Sequence, residues 1–243
     1  MPQPTEAPAE RPLWTRPGLV VSVAVALVIG IAGIVVTVST LDSDSRGTVS
    51  APPSARSGSG ISTPSLAAPT AVPTVAPDDV RWELLGAHPV PISDSAGPTQ
   101  ITATTASGFT HTPVGALIAA AQIAMRCAGP RRYWEPAIER QLVPSADRER
   151  LLAAMAAVRD ESIDSAAQSD IAGFSYQSYT PDTAVIGLVL RAPSAGAPQF
   201  HVLSLTLLWR DGDWRMQAPP GGAWISVNRR TSDLTGVVEW GPQ

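Results

Sequence analysis

The sequence predicts an α+β fold in which three helices precede an antiparallel sheet. Two observations carry the prediction. Apolar residues recur at helical spacing through three segments between Thr112 and Arg159, divided by Gly129-Pro130 and Pro144. From Ile171 the period changes to two, and turn-forming residues cut the rest into about four strands. A third observation sets the domain apart: a charge-free run near the N-terminus and a low-complexity segment come before it.

The first helix has the clearest start. Thr112 is a good N-cap and Pro113 suits the first helical position, since its missing N–H has no partner there anyway. Val114, Leu117, Ile118, Ala121 and Met125 share one face, and the other face is mostly Ala. A helix apolar all round is buried, which makes this the central core helix. A second helix is predicted at about 135–142 and a third at about 146–159, capped by Ser145 with Leu151, Leu152, Met155 and Val158 on one face. Strands are predicted at about 173–179, 184–191, 199–210 and 213–217. Between the last two, Trp209-Arg210-Asp211-Gly212-Asp213-Trp214 contains the preferred two-residue hairpin loop, Asp211-Gly212, whose central residues take positive φ. That register sets Arg210 opposite Asp213, Trp209 opposite Trp214 and Leu207 opposite Met216. Leu203, Leu205, Leu207 and Trp209 then line the face that covers the core helix. Exposed, the two tryptophans would form a ligand platform; core packing is the simpler reading. Folding resumes at Arg81-Trp82-Glu83-Leu84-Leu85; the Gly- and Pro-punctuated stretch that follows, through HPVPISDSAGPTQ at 88–100, reads as an extended arm, and the stretch from Trp224 as an irregular aromatic strap.

The run LVVSVAVALVIGIAGIVVTV, residues 19–38, is 20 residues long with only Ser22 and Thr37 polar. As a helix it would reach roughly 30 Å, the thickness of a bilayer's hydrocarbon. The expected organisation is a disordered cytoplasmic tail at 1–18, a single transmembrane helix at 19–40, a Pro/Ser/Ala-rich linker at 41–80 and an extracytoplasmic domain at 81–243. Arg11 and Arg16 before the run place the N-terminus inside. A cleaved signal peptide would have an apolar core of about 7–15 residues, shorter than this one. Of the linker's 40 residues, 27 are Pro, Ser, Thr, Ala or Gly and none is aromatic, too little apolar surface to offset ordering entropy. As a flexible coil it would reach about 35 Å, and as polyproline II up to about 120 Å.

Composition narrows the function classes. All 17 basic residues are Arg, which points to a gene of high G+C content and an actinobacterial source. From Arg81 onward 13 Arg face 15 acidic residues, a balance unlike a nucleic-acid-binding domain's. Cys127 stands alone, so no intramolecular disulfide forms, and His88, His111 and His201 show no zinc-ligand spacing. Asp160, Glu161 and Asp164 read as a solvated helix end rather than acid–base partners, because no nearby group separates their pKa values. No cofactor, metal or direct nucleic-acid contact is expected. Arg229-Arg230 reads as exposed charge that could also dock an acidic partner.

The order of anchor, tether, three helices and strand meander resembles the nuclear transport factor 2-like cone, a curved sheet wrapped on a long helix. A single span followed by such a domain is similar to the VirB8-like and TcpC-like subunits of bacterial conjugation machines. The stretch GFTHTPVGALIAAAQIAMR, Gly108 to Arg126, and the ending DLTGVVEWG, Asp233 to Gly241, resemble an uncharacterised actinobacterial membrane family found with conjugative and integrative elements. The resemblance implies a non-enzymatic, self-associating assembly subunit that contacts other apparatus subunits in the cell membrane. It transfers no functional residue. Enzymes of the wider superfamily use a buried Asp or His with an aromatic donor, for which Asp170, His201 and Tyr176 are the corresponding candidates here. An enzyme or ligand-binding domain using the cone's cavity is therefore the alternative.

Overall fold

The computed structural model describes residues 71–158, 169–192 and 198–242. The expected tail, the transmembrane helix and most of the linker lie outside the described residues, as do residues 159–164 and most of the loop after 192. No helix among the described residues is long and apolar enough to cross a membrane.

Among the described residues the fold is α+β, with three α-helices and a mostly antiparallel sheet. It opens with a hairpin, β1 (Val80–Leu85) and β2 (His88–Ser93), turned at Gly86-Ala87. The expected arm thus supplies β2, paired with the segment at which folding resumes. A second small hairpin follows, β3 (Gln100–Ile101) and β4 (Ala106–Ser107). Helix α1 (Pro113–Ala128) then runs through the centre, its N-terminus capped by the Thr112 side chain, which accepts from the Gly115 amide. A Cβ at Gly115 would collide with the Thr110 carbonyl, so only glycine lets the entering chain pass this close.

Helix α2 (Arg131–Gln141) begins four residues earlier than expected. Pro130 supplies the cap and its carbonyl accepts from Tyr133 and Trp134, so Pro136 falls inside the helix rather than opening it. Helix α3 (Ala146–Ala156) is capped by Ser145 as expected and stops three residues short of the expected end; Ala157 is its C-cap. It buries Leu151, with Leu152, Met155 and Val158 packed beside it.

The main sheet has strands β5 (Asp170–Thr180), β6 (Thr183–Ala192), β7 (Gln199–Arg210), β8 (Asp213–Met216), β9 (Asn228–Thr231) and β10 (Val238–Glu239). Its order is β10-β5-β6-β7-β8, and β9 also pairs with β7. This corrects the expected four strands: the strap's two edge segments join the sheet. Strands β8 and β9 share one edge of β7, at Leu207–Arg210 and Phe200–Leu203 respectively. Between them the chain makes an excursion through two short 3-10 helices, Pro220–Gly222 and Trp224–Val227, the first seated on α3. The β7–β8 register is the one expected, with Asp211 at φ 52° and Gly212 at φ 78°.

Ile186, Leu188, Leu205, Leu207, Trp214 and Met216 form the sheet's core face. Helix α1 lies between that face and the β1–β2 hairpin, touching both. This three-layer arrangement is why α1 is apolar nearly all round: sheet covers one side, hairpin and α2 the other.

Candidate functional site

On the hairpin side of α1 the apolar pattern is broken twice. Gln122 and Arg126, four residues apart, share one stripe of the helix. Both are buried, at 0% and 1% exposure. Gln122 Nε2 donates to the Pro91 carbonyl at 2.6 Å, fastening α1 to β2. Arg126 Nη1 donates to the Gln122 carbonyl at 3.0 Å and to Gln122 Oε1. Arg126 Nε is buried with no hydrogen-bond partner among the described residues.

These two side chains line a cleft of about 360 Å³ between the β1–β2 hairpin, the tip of the β3–β4 hairpin and the start of α2. Its walls include Leu85, Val90 and Ile92, and its rim carries Leu84, 75% exposed, and Ile101, 49% exposed. The tip that presents Ile101 is set by Thr102, whose hydroxyl accepts from the amides of Thr104 and Thr105. Arg132 and Tyr133 close the α2 side, the guanidinium 4.7 Å from the ring centre.

Among the described residues Arg126 makes no ion pair. Glu83, the acid on the cleft wall, is turned to Arg81 at 3.2 Å. Desolvation pulls the Arg126 guanidinium down to about 10. Burial pushes the neighbouring Cys127 thiol up to about 12, with Arg126's charge opposing the shift. The cleft thus has an apolar mouth and a floor bearing one desolvated positive charge, suited to an anion with an apolar body. A second, more open groove of about 500 Å³ lies where residues 73–79 cross Ser95 and Val114, and no buried charged side chain lines it.

The residues singled out in the sequence fall elsewhere. Asp170 is exposed at the start of β5. Tyr176 sits six residues along the same strand, roughly 20 Å at strand rise. Its hydroxyl donates to the Pro113 carbonyl at 2.6 Å, and burial raises its pKa above the ordinary tyrosine range. His201 Nδ1 lies 3.1 Å from Asn228 Oδ1. Asp170 and His201 occupy neighbouring rungs at one end of the sheet with β6 between them, and Tyr176 belongs near the other end. The three do not converge. The charge of Asp170 acts instead on His88, whose pKa is lowered mainly by burial.

At the β7–β8 hairpin, Trp214 is 1% exposed and its Nε1 donates to the Thr110 carbonyl at 2.9 Å. His111 stacks on Trp209 with centroids 4.1 Å apart, occupying the face a ligand would need. Asp213 accepts from the amides of Gly108 and Phe109 at 2.9 and 3.1 Å, tying the chain that enters α1 to the hairpin. Among the described residues no group of three or more His, Cys, Asp or Glu side chains is placed to hold a metal.

Sequence reasoning passed over Arg126 and Gln122. The signal is present: Gln122 and Arg126, at i and i+4, are the only polar or charged side chains in a helix otherwise built from Pro, Val, Gly, Ala, Leu, Ile, Met and Cys.

Fold and cleft together define an α+β domain with a helix held between two β layers. The chain belongs to the family described as a domain of unknown function, DUF8175, whose model matches residues 42–239. No curated protein and no solved structure matches it.

Proposed function

We propose that this protein is a membrane-anchored, non-enzymatic assembly subunit of a conjugation or type IV secretion-like apparatus, with its α+β domain facing outward to make protein–protein contacts. The observation that carries the reading is the charge-free run at 19–38, preceded by Arg11 and Arg16 and joined through a Pro/Ser/Ala-rich segment to the domain. A helix laid on an antiparallel sheet supports the reading, since the nuclear transport factor 2-like cone of VirB8-like subunits is built in that general way. The β1–β2 hairpin adds a further surface for such contacts.

The test is genetic. In a host carrying the conjugative element, removing this chain is expected to reduce DNA transfer sharply. Full-length chain restores transfer, and chain lacking residues 19–38 does not. Unchanged transfer on removal contradicts the proposal. The cleft at Arg126 favours a second reading, a membrane-tethered ligand-binding domain, and that reading predicts unchanged transfer together with binding of a small anion.

A further inference from the structure

A buried guanidinium is stable only when its charge is met. Taking an ion out of water costs several kcal/mol, and proteins offset this with a carboxylate or a full set of acceptors. Arg126 has neither among the described residues. Its Nη1 meets two oxygens of one neutral glutamine, and its Nε meets nothing. The last turn of α1 provides partial negative charge, which favours a cation there, but helix-end effects amount to fractions of the desolvation cost. Arg126, 1% exposed, lies at the floor of a cleft rather than in a sealed core, so the open volume above it is where an anion would sit.

We infer that the cleft between the β1–β2 hairpin and α1 binds a small carboxylate with an apolar body, its carboxylate on Arg126 and its apolar part against Leu84, Leu85 and Ile101. The guanidinium presents a planar fork that matches a carboxylate. The apolar rim separates this ligand from inorganic oxyanions, which carry no surface to bury there. The exposure of Leu84 and Ile101 at one mouth, rather than scattered singly over the surface, gives the rim a purpose. The inference holds whichever side of a membrane the domain faces.

The experiment follows thermal unfolding of the full-length chain in a non-ionic detergent by tryptophan fluorescence, with sodium hexanoate, 1-hexanol or inorganic phosphate added. Hexanoate is expected to raise the midpoint along a saturating curve, as binding to the native state requires. Phosphate and hexanol are expected to do so far less. Arg126→Met is expected to melt no lower than the parent, because an uncompensated buried charge has been removed, and to bind hexanoate about tenfold to a hundredfold more weakly. Leu84→Ser, on the exposed rim, weakens hexanoate while leaving the ligand-free midpoint unchanged, and carries the test if Arg126→Met does not fold.

Three outcomes overturn the inference. One is a parent midpoint indifferent to hexanoate. Another is a hexanoate response equal in parent and variants. The third is phosphate matching hexanoate, which makes the site a general oxyanion site without use of the rim. An Arg126→Met chain that melts well below a parent indifferent to hexanoate identifies the guanidinium as a structural clamp.

Discussion

Asp79 is the residue at which the described chain is fastened to its first hairpin. Its carboxylate accepts from the Ser93 hydroxyl at 2.7 Å, the Ser95 hydroxyl at 2.6 Å and the Ser95 amide at 3.1 Å. Those donors hold its pKa below the usual carboxylate value, the Ser93 hydroxyl most of all. The folded state therefore binds this proton less readily than the unfolded state. The stability it contributes is fully present above the unfolded value near 3.8 and is lost as pH falls through the lower folded value. Asp79→Asn is expected to melt lower than the parent at pH 6, and the gap is expected to close as pH falls through the folded value; a gap independent of pH contradicts the assignment. Cys127 makes the opposite kind of prediction. Buried in α1 with its thiol pushed up to about 12, it is expected to resist iodoacetamide in the folded chain at pH 8 and to react readily in denaturant. Fast labelling of folded protein would mean that α1 opens.

Elements differ in how openly the sequence declares them, and the β7–β8 hairpin declares itself best. Asp211 and Gly212 lie at positive φ, and nothing surrounds the Gly212 Cβ position, so Gly212→Val is opposed by backbone strain alone. We expect a loss of about 1–3 kcal/mol. Trp214→Ala empties a buried site and leaves the Thr110 carbonyl without its donor, for an expected loss of about 3–5 kcal/mol. Denaturant midpoints measure both. A Trp214→Ala chain within about 0.5 kcal/mol of the parent would behave like a surface variant and contradict the packing. This hairpin, the caps of α1 and α3 and the long strands were legible because each depends on residues adjacent in sequence. The β1–β2 hairpin was not, because Pro89 and Pro91 argue against a strand unless it lies at an edge, and being an edge is a tertiary fact. The Gly86-Ala87 turn is its one local signal: Gly86 takes φ 65°. Strands β9 and β10 were hidden for a similar reason, since two to four residues with no alternation acquire strand character only from β7 and β5. The cleft was illegible as a site because its floor comes from α1 and its rim from two hairpins more than fifteen residues upstream.

Across the whole molecule the C-terminal strap joins the layers. Trp240 packs against Trp82 of the first hairpin at 5.0 Å and against Phe174 of the sheet at 5.6 Å, while its amide donates to the Ala172 carbonyl. Trp240→Ala is expected to cost about 3–5 kcal/mol and to loosen the β1–β2 hairpin, read as faster amide exchange at Val90 and Ile92. Unchanged exchange would show that the hairpin is held by α1 alone. The proposed assembly role requires the domain to lie on the outer side of a membrane. Protease added to intact, wall-stripped cells that carry the full chain, tagged at both ends, tests it directly. The expected result is loss of the C-terminal tag with the N-terminal tag retained on a fragment too small to hold the α+β domain. A C-terminal tag protected until the membrane is breached would contradict the outward-facing domain and the assembly role built on it.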